Sequence, residues 1–164
     1  MDTVQVAELV AEFVPLNRRR VNGDPPLSVL ELQRWSELRD LLAHAFGHKT
    51  PVASTVERPL RVPTQLKVRY GKDGATAILR NLSEGGLFVE SQRPLDPETP
   101  LQLELDPGDG GAVIALEGVV VWSREFPNLD GPSGFGVRFR NLEAEEFAAL
   151  LHVIERVLRD LVGP

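Results

Sequence analysis

The sequence predicts a mainly β protein with helices: an N-terminal pair of helices, a sheet structure of six short strands, and a closing helix. Three observations support this prediction. Apolar residues recur at three- and four-residue steps in the first 47 residues and again near the end of the chain, as in amphipathic helices. Between these segments the pattern alternates with a period of two, as in half-buried strands. Turn-forming clusters separate the alternating runs, which favours an antiparallel barrel or sandwich.

Residues 1–47 are predicted to form a helical hairpin. The first stretch, VQVAELVAEFV, places its apolar side chains in one stripe. We expect Pro15 to kink or end this helix because it has no amide hydrogen to donate, and the NG pair at 22–23 to stop the segment. The second helix begins with Ser28 and Glu31 in the spacing of a capping box. Neither helix can bury its stripe alone, so each must pack on a partner.

The remaining chain is predicted to be a linker followed by a sheet domain. Residues 48–59, HKTPVASTVERP, show no period and contain two prolines, as linkers do. The sheet domain covers residues 60–164, and a GKDG turn joins its first two strands. A final helix carries an apolar stripe from Phe147 to Leu161. The predicted strands are residues 64–70, 75–81, 87–91, 101–105, 113–123 and 136–140.

The composition excludes several classes of protein. A net charge of −6 argues against a partner that is a nucleic acid polymer, because proteins that coat nucleic acid are normally basic. The chain has no cysteine, so it can form neither a disulfide framework nor a thiolate metal site. No run approaches the about 18 apolar residues that span a bilayer, and the acidic N-terminus does not resemble a signal peptide. We therefore expect a cytoplasmic protein without membrane insertion.

No arrangement of residues is typical of catalysis or of metal binding. His44 and His48 are four residues apart, but no third ligand is near them, and zinc sites need at least three protein ligands. Ser83 has neither the glycine spacing of a nucleophile elbow nor a local histidine or acid to activate it. We expect neither enzymatic activity nor a metal or other cofactor.

The stretch NLSEGG, residues 81–86, is the first candidate for ligand binding. Asn81 and Ser83 are two residues apart, so on an extended strand end they project to the same side. Asn81 can bind a base edge, Ser83 can hold a phosphate or the turn itself, and Gly86 lets a ligand or a strand backbone approach closely. A purely structural turn is the more common use of such a sequence, and both interpretations stay open.

Arginines before the first strand form a second candidate. Arg58 and Arg61 stand in ERPLRVP, and a guanidinium suits phosphate because its planar fork gives bidentate hydrogen bonds and stacks on a base. The same residues are compatible with simple linker charge. A further basic cluster, Arg18 to Arg20, lies near the turn of the helical hairpin, where a solvated tip is the more common interpretation.

The arginines before the first strand and the NLSEGG stretch after the second, taken in this order, resemble the motifs of the PilZ domain family. That family has an R-x-x-x-R motif before its first strand and a (D/N)-x-S-x-x-G motif after its second, and residues 81–86 match the second motif at every fixed position. GVVVW at 118–122 and GFGVRF at 134–139 are also similar to family segments. The resemblance covers residues 57–162 and implies a six-stranded antiparallel PilZ-type β-barrel with a C-terminal helix.

The resemblance also implies binding of cyclic di-GMP without catalysis. In the family the arginines hold phosphates and stack on guanine, while the Asn or Asp and the Ser contact the nucleotide. Carried over to this chain, Arg61 matches the second arginine and Arg58 stands close to the first. Asn81, Ser83 and Gly86 match the other motif.

The chain departs from the family in its arginine motif. Glu57 stands four residues before Arg61 where the family has arginine, Arg58 is one position off, and Pro59 follows it. A carboxylate repels a dianionic ligand, and the loss of one charge-assisted contact costs about 1.5–3 kcal/mol. Arg58 or the Arg18–Arg20 cluster can compensate for that loss.

Two functional hypotheses follow from the sequence. In the first, the protein is a non-enzymatic cyclic di-GMP receptor or adaptor that relays ligand binding to a protein partner, in bacterial signalling such as motility regulation. In the second, it is a PilZ-like interaction module that does not bind cyclic di-GMP and acts through protein–protein contacts of its helices. The apolar stripes of the helical hairpin also favour a homodimer that forms through the helices.

Overall fold

The computed structural model describes residues 2–47 and 58–163. The chain forms two compact units. The helical unit holds the residues up to Val62 together with Glu155 and those that follow it, and the barrel unit runs from Pro63 to Ile154. Glu57 and most of the predicted linker lie outside the described residues. The domain boundaries drawn from the sequence therefore stay a prediction.

The helical unit begins with two capped helices, α1 at Thr3–Asn22 and α2 at Val29–Ala45. Asp2 and Gln5 form a capping box on α1, and the predicted capping box of Ser28 and Glu31 is present on α2. Each box satisfies amides that no carbonyl of the same helix can reach. α1 is followed by Gly23, whose φ of 67° is a left-handed conformation that glycine adopts without strain.

Pro15 was expected either to kink or to end α1, and it does not end the helix. The helix continues through Pro15 to Asn22. A proline in a helix interior costs about 3 kcal/mol, because it removes one hydrogen bond and crowds the preceding turn. Phe13 and Val14, directly before it, are buried. Burial of this apolar stripe opposes the cost of the proline.

Trp35 lies at the centre of the helical unit. It is fully buried, as are Leu38 and Leu42, and its indole nitrogen donates a hydrogen bond of 2.9 Å to the side-chain oxygen of Asn17. The ring of Phe13 stacks on it at a centroid distance of 6.2 Å. The indole is therefore buried with its one polar atom satisfied, as a core tryptophan requires.

The strands form a closed barrel. The sheet order is β1-β3-β2-β5-β6-β7-β4, and β4 also pairs with β3. The six strands β2 to β7 therefore close into an antiparallel barrel, which confirms the predicted fold and excludes the sandwich. The predicted strands correspond in order to β2 to β7. The bounds are β1 Val62–Pro63, β2 Lys67–Tyr70, β3 Ala75–Leu82, β4 Gly86–Glu90, β5 Pro100–Leu105, β6 Ile114–Arg124 and β7 Gly134–Arg140.

Alternating side chains fill the barrel interior. On β5, Leu101, Leu103 and Leu105 are buried and the residues between them are exposed, which is the period-two pattern that predicted the strand. Tyr70 and Phe135 meet edge to face with their ring centroids 5.3 Å apart. This geometry is one that aromatic rings prefer in protein interiors.

The last helix is α3, Ala144–Leu161. Within the barrel unit its side chains at Leu150 and Ile154 are buried, which fits the predicted apolar stripe. Glu145 and Glu146 lie in its first turn, where negative charge is favourable to the helix dipole. Among the residues that the structure describes, no helix is long and apolar enough to cross a membrane.

Candidate functional site

The turn between β3 and β4 contains Ser83, whose hydroxyl is used within the turn itself. That hydroxyl accepts hydrogen bonds of 3.2 Å from the amides of Gly85 and Gly86 and donates one of 3.3 Å to the carbonyl of Gly86. The amide of Ser83 donates to the same carbonyl at 2.8 Å. Since a hydroxyl has one donor and two acceptor positions, this turn satisfies Ser83 completely. Of the two roles open for Ser83, holding the turn is the one visible in the geometry.

Gly86 stands where a neighbouring strand passes very close. A Cβ atom at this position would lie 2.1 Å from the carbonyl oxygen of Val137 on β7, so any larger residue would force the two strands apart. Gly85 differs, because a Cβ atom there would meet nothing within 4 Å. Gly86 therefore has a structural role, because the backbone of β7 passes too close to leave room for a side chain.

Asn81 projects from the outer face of the barrel because of a β-bulge. Leu79 pairs with Val89, and both are fully buried. The register then shifts, so that Asn81 pairs with Phe88 and Leu82 pairs with Leu87. A bulge adds a residue and reverses the face to which the next side chain points. The half-buried amide of Asn81 makes no hydrogen bond with any residue that the structure describes.

The spacing of Asn81 and Ser83 does not place them together on an extended strand, so that expectation is wrong. β3 ends at Leu82, and Ser83 already belongs to the turn. Ser83 is only 8% exposed, whereas Asn81 faces outward. The two polar residues of the motif therefore have different physical roles.

Beside Asn81, an aromatic pair covers the outer face. Asn81 pairs with Phe88, Phe88 with Gly136, and Gly136 with Trp122, so these residues form one row across four strands. The rings of Phe88 and Trp122 stack with centroids 5.1 Å apart and 10° between their planes. Gly136 leaves room for this stack, because a Cβ atom there would lie 2.2 Å from the indole nitrogen of Trp122. Phe88 is only 6% exposed, so the half-buried Trp122 supplies most of the aromatic surface of this row that solvent reaches, and Arg124 lies over its ring at 5.1 Å.

Arg58 and Arg61 belong to the helical unit and are exposed. The carbonyl of Arg58 accepts a hydrogen bond of 3.2 Å from Arg39. Neither guanidinium has a partner in the described part of the chain. Both therefore remain able to bind an anion. Glu57, the acidic departure from the family motif, lies outside that part.

The Arg18–Arg20 cluster serves the helical unit. Arg18 donates two hydrogen bonds, of 3.1 and 2.6 Å, to the buried carboxylate of Glu155. Arg19 is paired with Glu31 and also donates to two backbone carbonyls. Arg20 bonds to Asn17 and lies over the ring of Trp35 at 4.3 Å. These contacts support a structural role for the cluster within the helical unit and not a role in ligand binding.

Sequence reasoning missed three residues of the outer face: Phe88, Trp122 and Arg138. Arg138 is exposed on β7, and the alternation of GFGVRF was a usable signal for it. Trp122 had no such signal, because a register shift between Val120 and Trp122 breaks the alternation of β6. Both segments were noted only for their similarity to family segments.

Metal binding has no support in residues 2–47 and 58–163. These residues contain no group of three or more His, Asp or Glu side chains able to hold a metal ion. His44 lies on α2, whereas His48 lies outside the described residues.

The fold and the turn define a small β-barrel domain that carries a polar motif at the end of its second barrel strand. The chain belongs to the PilZ domain family, whose model matches residues 56–156. This match confirms the resemblance found in the sequence. A comparison with curated proteins gives no match.

Solved structures with this fold include two that bear on the comparison. One is the inhibitor of motility MotI/DgrA from Bacillus subtilis, with a TM-score of 0.51 and 21% identity over 66% of this chain and 54% of that one. The other is YcgR from Escherichia coli in complex with c-di-GMP, with a TM-score of 0.51 and 19% identity over 64% of this chain and 47% of that one. The match thus spans about half the length of either protein. At these identities the likeness shows the fold alone.

Proposed function

We propose that this PilZ domain protein is a receptor for cyclic di-GMP that acts without catalysis and relays binding to a protein partner. The observation that carries the proposal is Asn81, whose outward amide lies beside the Phe88–Trp122 stack and makes no hydrogen bond with a described residue. An amide can bind a purine edge, and an aromatic surface can contact its flat face. The structure of YcgR in complex with c-di-GMP supports the choice of ligand.

In this proposal the residues of the N-x-S-x-x-G motif have separate tasks. Asn81 contacts a guanine edge through its carbonyl oxygen and its amide hydrogens. Ser83 keeps the shape of the turn through its hydrogen bonds to Gly85 and Gly86. Gly86 keeps β4 close to β7. Asn81 is therefore the motif residue that touches the ligand, and the other two position it.

Arg61 and Arg58 supply positive charge in this proposal. Cyclic di-GMP carries two phosphodiester charges, and a guanidinium binds phosphate with two parallel hydrogen bonds. Arg61 is the first candidate because it stands at the position that matches the family motif. Arg58 is one residue away from the other motif position, and Glu57 places a negative charge there. We therefore expect weaker binding than a site with two matching arginines would give.

A second candidate function is an interaction module that does not bind the nucleotide. Glu57 favours it, and so do the exposed apolar side chains of the helices, among them Val29 at 75% and Leu30 at 77% exposure. Neighbouring exposed apolar residues favour contact with another protein. A second copy of the chain, bound through the helices, is the partner we propose for this case. Sedimentation over a range of concentrations tests it, and a constant monomer mass would contradict it.

Isothermal titration of the full chain with cyclic di-GMP tests the receptor proposal. The variants are Asn81→Ala and Arg61→Ala, with Arg69→Ala, an exposed arginine on β2, as the matched control. We expect micromolar or tighter binding by the wild type and the control. Each site variant should bind about tenfold more weakly or worse, because it loses a hydrogen-bonded contact to the ligand.

A wild-type protein that gives no heat at high micromolar ligand would contradict the receptor proposal. The variant Glu57→Arg then separates the two candidates. A gain of binding in this variant would show that the acidic residue disables an otherwise complete site, and would favour the interaction module for the natural chain.

A further inference from the structure

We propose that the ligand site extends across the outer face of the barrel to Arg138, whose guanidinium binds a phosphate of the ligand. Arg138 would provide the second phosphate-binding cation that the chain lacks at Glu57. This inference rests on the proposed function and names a residue outside the R-x-x-x-R and (D/N)-x-S-x-x-G motifs.

Arg138 is placed directly beside the motif turn. It pairs with Gly86 across β7 and β4, and the amide of the next residue, Phe139, donates a hydrogen bond of 2.9 Å to the carbonyl of Gly85. Val137 and Phe139 are buried, so the side chain between them points outward. Because Gly86 has no side chain, nothing on β4 separates Arg138 from the surface of the turn.

Arg138 shares its face with Asn81. The row that contains Asn81 crosses β4 at Phe88, and the row that contains Arg138 crosses β4 at Gly86. Alternation puts Phe88 and Gly86 on the same face of the strand. Two strand spacings separate β3 from β7 and the rows are two residues apart along β4, which together amount to about 12 Å. A cyclic dinucleotide has its bases and phosphates on a ring of comparable size, so one ligand can contact an amide and a guanidinium so placed.

The neighbouring arginines of this face already make polar contacts within the protein, whereas the side chain of Arg138 makes none with the described residues. Arg80 is paired with Glu90 at 3.6 Å. Arg124 donates to the carbonyl of Pro132 at 3.0 Å and lies over the Trp122 ring at 5.1 Å. For Arg138, the structure records no ion pair or side-chain hydrogen bond with any residue in 2–47 or 58–163.

Arg140 offers a matched control. It lies on the same strand, two residues further, is also exposed, and is paired with Glu117 at 3.9 Å. Its removal changes the charge of the protein by the same amount as removal of Arg138. A ligand effect that follows from overall charge alone would therefore be equal in the two variants.

Isothermal titration with cyclic di-GMP, at two salt concentrations, tests the inference on Arg138→Gln and Arg140→Gln. Glutamine keeps the stem that lies along the strand and removes the charge. We expect Arg138→Gln to bind about tenfold more weakly and with less dependence on salt, because one cation fewer meets the phosphates. Arg140→Gln should bind as the wild type does. Arg138→Lys should recover part of the loss, since an ammonium keeps the charge but not the bidentate geometry.

The titration separates a failure of the Arg138 inference from a failure of the receptor proposal. Equal binding by the wild type, Arg138→Gln and Arg140→Gln would overturn the inference and leave the receptor proposal standing. Equal losses in the two glutamine variants would also overturn it, because a general charge effect would then suffice. A wild type that does not bind would overturn the receptor proposal itself. Thermal melting of each variant confirms that the folded protein is compared.

Discussion

The arginine cluster on α1 and the residues Asn81 and Arg138 on the outer face of the barrel use their polar side chains in opposite ways. On α1 the basic residues Arg18 and Arg20 are part of the fold: Arg18 binds the buried Glu155, and Arg20 binds Asn17 beside Trp35. In the barrel unit the strand ladder provides the hydrogen bonds of the fold. The outward side chains Asn81 and Arg138 make no polar contact with the described residues.

A prominent polar motif therefore does not by itself indicate a binding site. Arg18 to Arg20 are three consecutive arginines, yet their contacts explain them fully as structural residues. Asn81 and Arg138 are isolated in the sequence, but the barrel brings them onto one face without partners there. The number of unused hydrogen-bonding groups, and not the density of charge, separates the two regions.

The largest expected effect concerns the two tryptophans, one in each unit. Trp35→Ala should lower the free energy of unfolding by about 3–5 kcal/mol, the usual cost of emptying a large aromatic site. Trp122→Ala should cost less than half as much, because Trp122 is half-buried on the barrel surface. Urea denaturation followed by circular dichroism measures both. Equal losses would contradict the view that only Trp35 is a core residue.

The next effect concerns the two glycines of the turn. Gly86→Ala should lower the free energy of unfolding by about 1–3 kcal/mol, since its Cβ atom would overlap the carbonyl of Val137 and the strands must separate. Gly85→Ala, with open space around the added atom, is the matched control and should change stability little. Thermal or urea denaturation of both variants checks this. A similar loss in each would show that the close approach at Gly86 does not limit stability.

A smaller effect separates Ser83 from Asn81. Ser83→Ala should lower the free energy of unfolding by about 1 kcal/mol, because the turn amides lose their acceptor. Asn81→Ala should leave stability within about 0.5 kcal/mol of the wild type. Both should weaken ligand binding in the titration proposed above. If Asn81→Ala destabilised the protein as much as Ser83→Ala, Asn81 would be a structural residue and the contrast would fail.

The smallest effect is a pH dependence confined to the helical unit. Arg34 binds both carboxylate oxygens of Glu12, at 2.6 and 2.7 Å, and this hydrogen-bonded contact lowers the pKa of Glu12. A carboxyl whose pKa is lower in the folded state stabilises the protein above its unfolded pKa, and this contribution is lost as the pH falls through the folded pKa.

The melting temperature of Glu12→Gln should therefore fall less than that of the wild type between about pH 6 and about pH 3. Glu8→Gln is the matched control, since Glu8 lies on the same helix without an ion pair among the described residues. Its melting temperature should follow the wild type. Identical profiles for all three proteins would show that the Glu12–Arg34 pair contributes nothing measurable.

The sequence predicted the strands and the helices well because their patterns are local. Alternation and helical spacing identified β2 to β7 and all three helices, and the capping box of Ser28 marked the start of α2. The sequence left open whether Pro15 kinks or ends α1, because the outcome depends on burial in the folded chain. The outward direction of Asn81 was also out of reach, since a bulge after Leu79 decides it. A row of residues across four strands depends on register, which local patterns do not specify.

Chemical-shift mapping by NMR of the full chain during titration with cyclic di-GMP distinguishes a nucleotide site on the outer face of the barrel from binding to the helices. If the nucleotide binds to the outer face, the amides of residues 81–86 and 136–138 should be perturbed and the indole resonance of Trp122 should shift, whereas the indole resonance of Trp35 should not change. Saturating ligand that shifts none of these resonances, or only those of α1 and α2, would contradict a nucleotide site on the outer face of the barrel.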